Sequence, residues 1–188
     1  MWFLEQKIDT TENYAFVNNA LTKYECQQII SLGESLIPKQ ALIQSGANFD
    51  VRNSNVSWIL PSTESEWVFR KMTDFIKELN DRFFKFDIDG FDEGFQFTKY
   101  QIDGKYEAHI DKTYYSKIRK LSMVVQLSDP CEYEGGDLSL FISKDPFNVK
   151  KKQGFMVAFP SYTLHKVNPV TNGTRYSLVA WLTGPAFK

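Results

Sequence analysis

Histidine is nearly missing from this chain, with only His109 and His165 among 188 residues. A metal centre built from three histidines and a glutamate is therefore excluded, and if both imidazoles serve a metal no acid–base dyad could draw on a further histidine. Cysteine is equally sparse. Cys26 and Cys131 stand far apart without metal-ligand spacing, and a secreted disulfide framework would need more of them. Long apolar runs are absent too: the opening "MWFLEQKIDT" turns charged after four residues, too short for a signal-peptide core or a membrane span. Nor is there an excess of one charge. Lys and Arg total 22 against 23 Asp and Glu, a net charge of −1, so no global field draws the chain to nucleic acid or anionic lipid. The runs Lys117–Lys120 and Lys150–Lys152 are short enough to be solvated loop faces. These shortages predict a soluble cytoplasmic protein with neither nucleic-acid nor membrane partners.

Aromatic residues, by contrast, are plentiful. Sixteen Phe, nine Tyr and four Trp favour a sheet-rich structure, because flat rings pack well on pleated surfaces. Two helix signals lie in the first half. Thr22 and Glu25 form a capping-box pattern with Leu21 and Cys26 as its hydrophobic staple, opening a helix to about Leu36. A second helix is predicted to open near Thr63, with Glu66 three residues on. Its stripe is Val68, Met72, Phe75, Ile76, Leu79 and Phe83. The stretch from Gln40 to Leu60 reads as irregular or strand-like. Beyond residue 95 the pattern becomes short β-branched and aromatic runs: Gln96–Tyr100, Tyr106–Ile110, Lys120–Leu127, Leu138–Ile142, Phe155–Phe159, Leu164–Val167 and Arg175–Leu182. Gly and Pro punctuate them. The expectation is one domain over residues 1–188, mainly β with supporting α-helices. Helical support at about 20–86 would pack on one sheet of a jelly roll or small barrel at about 95–185.

Within "YEAHIDKTYY", His109 and Asp111 are two apart, so on a strand both project to one side while Ile110 enters the opposite layer. A His-x-Asp pair arises by chance in roughly one such chain in ten, so the pair needs a partner. The partner is His165, in "FPSYTLHKVNPVTNGTRYSLVAW", with Arg175 ten residues later beyond a turn. A three-residue loop, Thr171-Asn172-Gly173 with Gly173 left-handed, would set Val170 opposite Thr174 and Val179 opposite His165. His165, Val167, Arg175, Ser177, Val179 and Trp181 would then share a face. Arg175 would lie roughly 14 Å of strand from His165. Half of that distance is spanned by an extended arginine, leaving room for a five-carbon dicarboxylate gripped by the guanidinium.

The segments "YQIDGKYEAHID", "RKLSMVVQLS", "YEGGDLSLF" and "FPSYTLHKVNPVTNGTRYSLVAW" resemble the Fe(II)/2-oxoglutarate-dependent oxygenases, in their prolyl 4-hydroxylase-like branch. They run in the family's order over Tyr100 to about Pro185, nearly half the chain. The resemblance implies a double-stranded β-helix, cupin-like in its jelly roll, with Fe(II) held by His109, Asp111 and His165. It implies Arg175 as the ligand of the 5-carboxylate of 2-oxoglutarate, helped by Tyr100 and by Ser177 of the family's Arg-x-Ser pattern. Trp181 and Tyr106 would be site walls, with Trp181 toward substrate. Arg52, in the segment Phe49–Val56, reads either as a grip on substrate backbone or as a solvated loop arginine. Two departures stand out. Collagen-type relatives carry Lys where this chain has Arg175, and the oxygen-sensing branch carries a cosubstrate tyrosine where this chain has Gln126.

By that likeness the cofactors are Fe(II), 2-oxoglutarate and O₂, with ascorbate as an accessory reductant. The reaction is hydroxylation, with succinate and CO₂ as co-products, on a prolyl residue of a peptide or protein. The peptide would cross a mouth covered by the loops Lys112–Lys120 and Phe49–Val56. The alternatives are a free amino acid or other small molecule as substrate, a zinc site made of the same three residues, and a non-catalytic jelly-roll binding module.

Overall fold

Alternation along the strands sorts the side chains of the second half onto two faces, and the two faces meet different partners. The computed structural model describes residues 11–41, 48–111 and 118–187. In chain order the elements are β1 (Ala15–Val17), α1 (Lys23–Ser35), β2 (Lys39–Gln40), β3 (Arg52–Asn53), β4 (Asn55–Ile59) and α2 (Glu66–Leu79). A π-helical turn, Asn80–Phe84, extends α2. Then follow β5 (Gly90–Phe91), β6 (Phe95–Tyr100), β7 (Lys105–His109), β8 (Ile118–Gln126), β9 (Tyr133–Gly135) and β10 (Leu138–Leu140). The chain ends with β11 (Phe147–Asn148), β12 (Met156–Pro160), β13 (His165–Val167), β14 (Val170–Gly173) and β15 (Arg175–Gly184).

The large sheet has the order β1-β12-β8-β15-β6-β4-β2, with β5 on β15. The smaller sheet has the order β11-β10-β13-β7-β3. From β6 onward β6, β8, β12 and β15 of the large sheet alternate along the chain with β7, β10 and β13 of the small one. That alternation winds the chain into a double-stranded β-helix. One core lies between the sheets, where Tyr100, Val124, Val157 and Phe159 meet Leu138, Leu140 and Val167. The other lies outside the large sheet, where Phe95, Phe97, Met123, Val125, Leu178 and Ala180 meet the helices.

The first helix follows its sequence signal closely. Thr22 Oγ1 accepts from Glu25 N, the Glu25 carboxylate accepts from Thr22 N, and Leu21 and Cys26 are both buried. Gly33 stands where α1 crosses Phe97, and a Cβ there would overlap the aromatic ring. The second helix keeps its stripe, with Val68, Met72, Ile76 and Leu79 buried and Phe75 and Phe83 half-buried. Its start differs from the predicted capping box at Thr63. The N-cap is Ser65, and its hydroxyl serves the preceding turn instead: Ser65 Oγ accepts from Ser62 N, and Ser62 Oγ accepts from Ser65 N. Among the described residues no helix is long and apolar enough to cross a membrane.

Three further expectations are corrected. His165 and Arg175 are not on paired strands: β13 pairs with β7 and β10, while β15 pairs with β6 and β8. Val179 faces Gln96 and Val124, not His165. Gly173 is left-handed at φ 72°, but its segment is a strand of its own, β14, paired with β9. The chain uses it to cross from one sheet to the other. Second, Ile110 enters no layer. It is 41% exposed, because nothing described covers the outside of the small sheet there. Third, the two mouth loops shrink. Residues 52–53 and 55–56 belong to β3 and β4, residues 118–120 begin β8, and residues 112–117 lie outside the described residues.

Candidate metal and carboxylate site

Two ends of one inner sheet face carry the chemistry, and β8 connects them. At the first end, pairing of β13 with β7 sets His165 opposite His109. Asp111 continues from β7 and is fixed by its N–H to Ser161 O at 2.9 Å. The ligand atoms of His109, Asp111 and His165 lie within 4.8 Å of one another. His109 Nε2 is 3.6 Å from Asp111 Oδ1, and His165 Nε2 is 3.5 Å from Asp111 Oδ2.

Each imidazole is oriented by its far nitrogen. His109 Nδ1 donates to Glu107 O at 2.7 Å and His165 Nδ1 to Thr163 O at 2.9 Å, so both Nε2 lone pairs turn inward. Burial pushes His165 below its usual range against the pull of Asp111, leaving it neutral at neutral pH. Burial alone would raise Asp111. His165, His109 and the Ser122 hydroxyl outweigh it and hold the carboxyl well below the usual range. Ser122 Oγ donates to Asp111 Oδ2 at 2.7 Å, and Ser161 Oγ stands 3.0 Å from Ser122 Oγ. The Ser122 proton is committed to the carboxylate, so Ser161 is the donor in that second contact.

A bulge explains a third aromatic neighbour. The β7–β13 register shifts between His165 and Val167, so Tyr106 and His109 both face inward although they are an odd three positions apart. Their rings stack at 3.5 Å, and the Arg52 guanidinium covers Tyr106 at 4.5 Å from its ring centre.

At the second end, Arg175 is 1% exposed. Its Nη2 donates to Gln126 Oε1 at 3.0 Å, its Nη1 reaches Ser177 Oγ at 3.5 Å, and it lies 5.2 Å from the centre of the Tyr100 ring. Among the described residues its Nε has no hydrogen-bond partner. No carboxylate among the described residues pairs with it. Gly136, at φ 64°, leaves room for the chain of Arg175, since a Cβ there would sit 2.9 Å from Arg175 Cδ. Tyr133 lies alongside, its phenol pushed up by burial although Arg175 pulls it down. An unpaired buried cation costs on the order of several kcal/mol, so the guanidinium is built to receive an anion. Ser122 and Gln126 lie four residues apart on one face of β8, about 13 Å of strand between the two ends.

Residues 95–183 match the family model described as the 2OG-Fe(II) oxygenase superfamily, a span holding both ends of this site. Residues 95–183 belong to that superfamily. Two curated relatives are PKHD-type hydroxylases. That of Prochlorococcus marinus is 41% identical over 90 residues, 47% of this chain and 41% of the relative. That of Delftia acidovorans is 40% identical over 96 residues, 46% of this chain and 41% of the relative. The chain thus spans about two fifths of the length of these relatives.

Solved structures share the fold of the oxygenase domain and its helices. A Trichoplax adhaerens prolyl hydroxylase in complex with a hypoxia inducible factor peptide fragment aligns with a TM-score of 0.77 at 19% identity, covering 91% of this chain and 83% of that one. A viral collagen prolyl hydroxylase from Paramecium Bursaria Chlorella virus-1, in its 2OG complex, aligns at 0.70 and 24% identity, covering 93% and 97%.

The donor chemistry of the oxygenase domain fits the groups its family uses. Two imidazoles and one carboxylate are the set that holds a divalent iron while leaving positions open. Arg175, buried, unpaired and with an orphan Nε, fits one end of a dicarboxylate. The structure brings together all three ligand candidates, and it sets Tyr100 directly opposite Arg175 with Ser177 two residues along the same face. Trp181 also faces inward. It is 7% exposed, opposite Ser122, with its Nε1 unpartnered and the Arg119 guanidinium 3.8 Å above its ring. Arg52 is not the solvated loop residue its segment suggests. It is 8% exposed on β3, donates through Nε to Ser54 Oγ and is held against Tyr106. Ser122 and Ser161 were not singled out from sequence. Ser122 shows only as a small polar residue at an inward position of an otherwise apolar strand, and Ser161 lies in the turn after β12.

Proposed function

We propose that this chain is an Fe(II)- and 2-oxoglutarate-dependent hydroxylase whose substrate is a prolyl residue in a peptide or protein, with succinate and CO₂ as co-products. The observation that carries the reading is the two-ended wall: a His-Asp-His set at Ser122 and a buried, acid-free arginine at Gln126, with one strand between them. The hydroxylase names of the sequence relatives support the reaction class. Among the structures of shared fold, a prolyl hydroxylase bound to a peptide fragment supports the substrate class.

On this reading His109, Asp111 and His165 hold the iron, each orientation set by the hydrogen bonds above. Arg175, with Ser177 and Tyr100 beside it, holds the distal carboxylate of 2-oxoglutarate. Iron and 2-oxoglutarate together supply the oxidative chemistry with O₂; the protein supplies placement and exclusion of water. Phe159 and Val124 line the dry interior between the sheets, while Trp181 and the Arg52–Tyr106 stack stand where substrate would approach His109. The test is a mass-spectrometric search of proline-containing peptides for addition of one oxygen atom, with and without 2-oxoglutarate. Oxygen addition that requires 2-oxoglutarate and disappears in His165→Ala supports the proposal. Turnover of a free amino acid with peptides left untouched would replace the substrate class and keep the chemistry.

A further inference from the structure

A guanidinium as buried as that of Arg175 ordinarily rests against a carboxylate. Here it rests against an amide. Arginine can only donate, so the 3.0 Å contact from Nη2 assigns the orientation of Gln126, with Oε1 toward Arg175 and Nε2 turned away. Gln126 is itself 2% exposed, and its backbone is pinned to the segment leading into β12: its N–H donates to Phe155 O at 2.9 Å and its C=O accepts from Gly154 N at 2.8 Å. The register sets Gln126 opposite Ser177, and Ser177 opposite Thr98. Three adjacent strands thus present Gln126, Ser177 and Thr98 on the face of Arg175, and among the described residues no carboxylate pairs with that charge.

We propose that Gln126 is a positioning residue: it aims Arg175 by accepting one N–H while contributing no counter-charge, so that a bound carboxylate meets the whole of the cation. This deepens, and rests on, the reading of Arg175 as the carboxylate anchor. A glutamate at position 126 would make the same contact and neutralise the arginine internally. A leucine would leave it unaimed. The amide combines an acceptor with zero charge at that reach.

The experiment uses the full chain as wild type, Gln126→Leu and Gln126→Glu, each loaded with Mn(II), titrated calorimetrically with 2-oxoglutarate and melted with and without it. Gln126→Leu keeps the volume and loses the acceptor. It should bind Mn(II) as wild type does and 2-oxoglutarate at least about tenfold more weakly, the worth of one hydrogen bond to a charged group. Gln126→Glu should melt above wild type without ligand and lose the rise in Tm that 2-oxoglutarate gives. A Gln126 that only fills space predicts the reverse: an unchanged 2-oxoglutarate affinity for Gln126→Leu and a lower Tm for Gln126→Glu. Either result overturns the proposal. If wild type takes no 2-oxoglutarate, the anchor reading fails, yet the ligand-free melting of Gln126→Glu still decides whether Gln126 attends an uncompensated cation.

Discussion

Ser122→Ala isolates the hydroxyl that holds Asp111. The side chain is fully buried, donates to Asp111 Oδ2 at 2.7 Å, and receives the Ser161 hydroxyl at 3.0 Å. Alanine removes one oxygen and leaves no space for a replacement residue to move in. A hydrogen bond to an ionised group contributes about 1.5–3 kcal/mol, roughly 10- to 150-fold in an equilibrium that needs Asp111 in place. Partners of metal ligands generally change metal affinity about 10- to 100-fold when removed. The dissociation constant for Mn(II), measured calorimetrically at neutral pH, should therefore rise at least about tenfold. Ser161→Ala should cost less, because the Ser161 carbonyl still accepts the Asp111 N–H and Ser122 still reaches the carboxylate. If Ser122→Ala binds Mn(II) within about twofold of wild type while Asp111→Ala abolishes binding, the hydroxyl does not position the ligand.

Thr22→Ala removes the capping box of α1 and should destabilise by about 1 kcal/mol, lowering Tm by roughly 2–4 °C in a thermal melt. Gly33→Ala should lower Tm although alanine favours helix by about 1 kcal/mol, because its Cβ would meet the Phe97 ring; a Tm at or above wild type would contradict the packing. Burial pushes the Cys26 thiol up to about 12, aided by neighbouring Glu25, whereas Cys131 is exposed. A thiol reagent at pH 8 should therefore label one cysteine in the native protein and both after denaturation. Since the folded value lies above the unfolded one, the stability linked to Cys26 is full below about pH 8.5 and is lost as pH rises toward the folded value.

Local signals in this chain were legible and long-range ones were not. The capping box at Thr22 and Glu25 needs only neighbouring residues, and the strand runs after residue 95 need only period-two alternation. Alternation also placed Arg175, Ser177, Val179 and Trp181 on one face correctly. The pairing of that face was invisible, because β15 finds β6 and β8 far away in sequence while the nearby β13 joins the other sheet. Gly173 signalled a left-handed residue without saying that it ends a strand of its own. Arg52 sits in "VRNSN", which has no apolar period. Its burial comes from stacking on Tyr106, a contact created by the β3–β7 pairing and the bulge beside His109. The start of α2 misled for a related reason: Thr63 and Glu66 have capping-box spacing, but Ser62 and Ser65 bond to each other first.

The central claim is that one cavity holds Fe(II) at His109, Asp111 and His165 and a 2-oxo dicarboxylate between the metal and Arg175. The measurement that meets it most directly is an anaerobic titration of the protein and Fe(II) with 2-oxoglutarate, followed by visible absorption. The account predicts the weak visible band of a chelated 2-oxo acid, abolished in His165→Ala and shifted to higher 2-oxoglutarate concentration in Arg175→Ala. A wild-type protein that shows no band, and forms no succinate when O₂ is admitted, would contradict it.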